Sequence, residues 1–201
     1  MVMRSLPMIP VRQTPDDVRS TIAHRGKVVV ILAIGVCLWL AACTVYDLKW
    51  REVPPALTLP PLFGAVLWNA LSGKFALGLF VLLLFILADI PFKGRGFANG
   101  LQAAIFCLGL TTSSEPFLAG TVMLTMFVIW SIWKLEKMGG ADAQVLMALV
   151  LLLGPAVLLP IAVVGGIQGL IHLLAHKKTM PFMVSIFAGT CVLLLAQPPS
   201  F

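Results

Sequence analysis

The sequence predicts an all-α protein, a polytopic transmembrane helical bundle of about eight helices, with six as the lower count. Three observations carry that expectation. First, 60% of the 201 residues are hydrophobic and only 11% are charged, and the mean hydropathy is +1.02, far outside the usage of soluble globular domains. Second, the apolar residues fall in runs that approach the roughly 20 residues needed to cross a hydrocarbon core. They lie at 28–46, 56–72, 75–91, 98–112, 116–133, 143–159, 160–175 and 181–197. Third, the basic residues collect in alternate connections. Lys49 and Arg51 follow the first run, Lys93 and Arg95 the third, Lys134 and Lys137 the fifth, and Lys177 and Lys178 the seventh, whereas the other connections carry only Lys74.

An excess of Lys and Arg marks cytoplasmic loops, so the odd-numbered connections are expected in the cytoplasm of a multi-pass cell-membrane protein. The tail, with Arg4, Arg12, Arg19, Arg25 and Lys27, then lies on the other side, against the same rule. The net charge of +6 is accounted for by this topology, so the expected partner is the lipid bilayer and no nucleic-acid partner is expected. Residues 1–27 form a polar tail in which "TPDDVRSTIAHR" offers a Thr cap, a Pro in the first turn and paired acids, the start of a short surface helix. Without a small-residue cleavage site, the first apolar run reads as a retained helix, and residues 28–201 as a single transmembrane domain.

Several residue types have plain structural readings. Cys37, Cys43, Cys107 and Cys191 all fall inside apolar runs with no CxxC spacing, so they read as small buried hydrophobes rather than zinc ligands or disulfide partners. The pairs Gly165/Gly169 and Gly96/Gly100 have the small-xxx-small spacing that lets helices approach. His172 and His176 are four apart, but with no intervening Glu and with Lys177 and Lys178 beside them they read as an interfacial pair. No metal or cofactor is expected.

The acidic residues can be sorted by place. Asp16 and Asp17 belong to the tail helix, Glu115 to an even-numbered connection, and Glu52 and Glu136 to basic connections. Asp47, Asp89 and Asp142 remain, each at the cytoplasmic end of an apolar segment, where an ionisable group suggests function. Asp89, before Ile-Pro and basic residues, reads as a helix-end acid paired with Lys93 or Arg95, and is the reserve candidate. Asp47 lies in "VYDLKWREVPPALTL", where a helix ends and a Pro pair restarts the chain. Asp142 follows Gly139 and Gly140 and opens a helix whose dipole favours negative charge. Carboxylates brought together from separate helices can share a proton, one activating water while the other donates to a scissile carbonyl.

The conjunction of "DLKWREVPPALTL", the downstream "GGADAQVLMAL" and the closing "MPFMVSIFAGTCVLLL" resembles the type 4 prepilin peptidase family, including the archaeal preflagellin peptidases. These are membrane aspartic proteases of the GxGD type, and the resemblance spans roughly residues 30–197. It implies a catalytic pair, Asp47 and Asp142, facing the cytoplasm. It also implies substrates with a basic leader followed by an apolar helix: prepilins, pseudopilins or preflagellins. Pro55 stands where the family usually has Asn, and Gln144 where a Lys often follows the second Asp. The long members' CxxC domain and methyltransferase activity have no counterpart, so leader cleavage without N-methylation is expected. The alternative from another class is a transporter or pilus-assembly scaffold whose aspartates bind a proton or cation. Glu52 and Glu136 are candidates for attracting the leader's basic residues. Replacing both with Lys is expected to slow processing of a basic leader in a reconstituted cleavage assay, and an unchanged rate would remove them from substrate binding.

Overall fold

A computed structural model describes residues 15–88, 95–113, 115–176 and 181–196. Among them every regular element is helical: α1 (Pro15–Trp50), α2 (Pro55–Leu71), α3 (Phe75–Ala88), α4 (Arg95–Thr112), α5 (Pro116–Lys134), α6 (Gly140–Leu153), α7 (Leu158–Leu174) and α8 (Phe182–Ala196), with a 3₁₀ turn, Pro155–Val157, joining α6 to α7. Proline sets several of the starts. Pro54 is extended (φ −65°, ψ 142°) ahead of Pro55, the first residue of α2, and Pro116 opens α5. A proline costs nothing there, because the amide it lacks has no partner in the first helical turn.

Two boundaries differ from the sequence expectation. The helix that begins at Pro15 runs unbroken to Trp50, so the expected surface helix and the first apolar run form one element. Gly26, the only breaker in between, costs about 1 kcal/mol in a helix interior and does not end it. The second difference is at α6, which stops at Leu153 rather than near residue 159. Gly154 takes a left-handed backbone (φ +82°) and Pro155 brings no amide hydrogen, so the helical ladder cannot continue.

Prolines also orphan the carbonyls four residues before them. Pro61 leaves the Leu57 carbonyl without its helical donor, and the Trp39 indole of α1 donates to it at 2.7 Å. Pro155 does the same to Leu151, whose carbonyl accepts from the buried Asn69 side chain of α2 at 3.0 Å. In surroundings this apolar an unpaired carbonyl is costly, so these side chains fix α1 against α2 and α2 against α6.

The bundle is built around α6. Its residues from Val145 to Leu151 are all buried, enclosed by α2, α5 and α8. On the α2 side the buried Thr58 hydroxyl donates to Gln144 Oε1. Beside it, α7 and α8 pack backbone to backbone at Gly189, where a Cβ would lie 2.5 Å from Ile161 Cα. Gly165 makes only ordinary contacts toward Ser185 and Phe182, and Gly100 faces open space, whereas at Gly189 the backbones themselves come close. Apolar side chains of α1 and α7, including Ile31, Leu38, Leu159 and Leu173, point outward. Among the described residues, three stretches are long and apolar enough to cross a membrane: Val30–Trp50, Pro116–Lys134 and Pro155–Leu174.

Contacts at the helix ends establish which ends lie together. The C-termini of α1, α3 and α5 meet the N-termini of α2, α6 and α8, through Asp47 with Met183, Thr58 with Gln144, and Phe85 with Trp133. At this end Arg51, Glu136 and His176 follow α1, α5 and α7 with positive φ (57°, 56° and 50°). His176 thus sits beyond the end of α7, and it shares no helical face with His172, whose ring lies 3.1 Å from the Gln168 carbonyl.

Replacing Trp39 with Phe keeps the ring but strands the Leu57 carbonyl. The variant is expected to lose about 1–2 kcal/mol of stability. Denaturant titration in detergent micelles checks this, with Trp68→Phe, on an exposed face, as the control.

Candidate active site

Asp47 occupies the last turn of α1, held by the turn in which the Arg51 amide donates to the Asp47 carbonyl at 3.0 Å. Its half-buried side chain turns toward α8, where Oδ2 accepts the Met183 amide at 3.3 Å. That amide lies in the first turn of α8 and has no partner within its own helix. The positive end of the α8 dipole therefore faces the carboxylate. Thr44, one turn earlier on α1, donates to Leu40 O at 2.8 Å and reaches Met183 O at 3.3 Å. Between them, Asp47 and Thr44 take both polar groups of Met183, and the end of α1 is tied to the start of α8.

Asp142 is the third residue of α6, ahead of the apolar run that starts at Ala143. Gly139 caps the helix in an extended conformation (φ −62°, ψ 147°), and the Ala143 amide donates to its carbonyl at 3.1 Å. The glycines ahead of Asp142 have steric work to do. A Cβ on Gly139 would come within 3.2 Å of Asp142 Oδ2, and one on Gly140 within 3.2 Å of Trp133 Nε1. Trp133, in the last turn of α5, packs on Phe85 at 5.9 Å between ring centres. Gly139 thus leaves room for the carboxylate, and Gly140 leaves room for the indole behind it.

The electrostatics link the acids. Burial, and second the negative charge of Asp47, push the Asp142 carboxyl up from 3.8 to about 6. The α6 N-terminus acts the other way, favouring negative charge by about 0.3–1 kcal/mol at exposed positions, and burial outweighs it. Residues 95 apart in sequence (142 minus 47) are therefore close enough in the fold for one charge to act on the other. Such a pair keeps a proton to higher pH than an isolated carboxylate does, and while it carries that single proton it is suited to general acid–base work on water.

The other sequence candidates are placed as follows. Glu52 and Glu136 are exposed in the α1–α2 and α5–α6 connections, at the same end as the aspartates. Asp89, Lys93, Lys177 and Lys178 lie outside the described residues, as do the side chains of Asp16, Asp17 and Arg95. Among the described residues no group of three or more His, Cys, Asp or Glu is assembled that could hold a metal ion. Pro55 opens α2, and Gln144 is turned toward α2 as the acceptor for Thr58. Sequence reasoning missed Met183, because what matters there is a backbone amide. The Pro-Phe start of α8 was the only available signal.

No family model, no curated protein and no solved structure matches the chain.

Gly139→Ala is expected to displace the Asp142 carboxylate while leaving the helices in place. The check is a fall in the apparent pKa of Asp142, followed by carboxyl infrared absorption, with an unchanged far-ultraviolet circular dichroism spectrum.

Proposed function

We propose that the chain is a membrane-embedded aspartic endopeptidase that removes the basic leader from type IV prepilins, pseudopilins or archaeal preflagellins at the cytoplasmic membrane face, without N-methylation. The observation that carries the reading is the electrostatic coupling of Asp142 to Asp47 across separate helices, α6 and α1. Each acid sits at a helix end, where water and a polar leader can reach it while an apolar substrate helix stays in the bilayer.

The roles follow from the surroundings. Asp47, facing the α8 N-terminus, is the ionised partner that takes a proton from water. Asp142, with its carboxyl raised to about 6, is the protonated partner that donates to the carbonyl oxygen of the scissile peptide. Attack by water then gives a tetrahedral intermediate. The proton taken by Asp47 passes to the leaving amine as the C–N bond breaks, a hydroxyl of the intermediate returns its proton to Asp142, and the pair regains its starting state. The transporter alternative expects broken helices meeting at the aspartates near the bilayer midplane. The Gly154–Pro155 break lies instead at the end of α6 remote from Asp142.

The test is cleavage of a prepilin-like substrate in liposomes by the wild type, Asp47→Asn and Asp142→Asn. Each substitution is expected to lower the rate at least about 100-fold, the scale of a lost general acid or base. No wild-type cleavage across a panel of pilin and flagellin leaders would overturn the reading. The pH profile provides a second prediction. Because Asp142 must be protonated to donate, the rate is expected to fall as pH rises through about 6, and a rate that keeps rising above that pH would contradict the assigned role.

A further inference from the structure

Outside the aspartate site, the seam between α1 and α8 contains a second cluster of reactive side chains. Cys37 of α1 and Cys191 of α8 are 154 residues apart in sequence, yet their sulfurs lie 3.8 Å from each other. Both thiols are free and half-buried, while Cys43 is fully buried and Cys107 exposed on another helix. We infer that Cys37 and Cys191 form a redox-reversible staple across the α1–α8 seam, a modification site independent of the peptidase reading.

The chemistry needs little rearrangement. Sulfurs already in contact must close to about 2.05 Å, a movement within reach of side-chain rotation when the helices are adjacent. Oxidation removes a hydrogen from each thiol and forms the Cys37 Sγ–Cys191 Sγ bond. The paired electrons and the protons pass to a lipid-soluble oxidant of the quinone class, which becomes the quinol. Such an oxidant reaches half-buried thiols from the bilayer, where a water-soluble disulfide has little access. Thiol reductants reverse the step once the bond is exposed. The staple lies on the same helices that Asp47 and Thr44 tie together at Met183, so its closure would hold that joint covalently.

The test treats the full-length protein in liposomes with a short-chain quinone, then alkylates the remaining thiols and maps the product by peptide mass spectrometry. The expected result is an intramolecular Cys37–Cys191 disulfide, an unfolding temperature shifted upward, and reversal of both by dithiothreitol. Cys37→Ser and Cys191→Ser should each abolish the crosslink and the shift, while Cys43→Ser and Cys107→Ser leave both intact. Full alkylation of Cys37 and Cys191 after oxidation would overturn the proposal, as would a crosslink that runs through Cys43 or Cys107. A crosslink that persists in either of the first two variants would also overturn it.

Discussion

A backbone carbonyl without a donor is costly in an apolar bundle, and this chain places prolines where that cost arises. Pro61 and Pro155 each strand a carbonyl one helical turn earlier, at Leu57 and Leu151. The donors come from other helices, the Trp39 indole in one case and the Asn69 amide in the other. Each repair sets the position of one helix against another. Together they place α1 on α2 and α2 on α6, the chain of contacts that brings the end of α1 to the end of the bundle where α6 begins. The same prolines that interrupt the helices therefore supply the polar contacts that position them.

On that scaffold the aspartates occupy contrasting surroundings. Asp47 accepts the Met183 amide in the first turn of α8, an environment that welcomes negative charge. Asp142 lies in the first turn of α6, the most enclosed helix, and burial there weighs against its charge more than its own helix dipole favours it. On the proposed peptidase reading, this contrast between two like groups is what divides acid from base. The glycines before Asp142 belong to this arrangement, because a side chain at either position would crowd the carboxylate or Trp133.

Much of this was legible in the sequence, for identifiable reasons. Helix positions followed from apolar run length, and Pro55 and Pro116 marked helix starts. The break at Gly154–Pro155 was written in the residues but masked by the uninterrupted hydropathy around it. Orphaned carbonyls could have been found by counting four residues back from each internal proline, although their donors, 18 and 82 residues away, could not. Asp47 and Asp142 were legible as chemistry because so few acids compete with them. Their electrostatic contact, the Met183 amide and the Cys37–Cys191 contact were not, since these depend on which helices become neighbours. The backbone approach at Gly189 points the same way, because no sequence repeat announces it.

The central claim is that Asp142 feels the charge of Asp47, and the most direct measurement is the titration of the Asp142 carboxyl in lipid by isotope-edited infrared spectroscopy, with and without Asp47→Asn. The account predicts an apparent pKa of about 6 in the wild type that falls when the charge of Asp47 is removed. A titration in the ordinary carboxylate range, or one indifferent to Asp47→Asn, would contradict it.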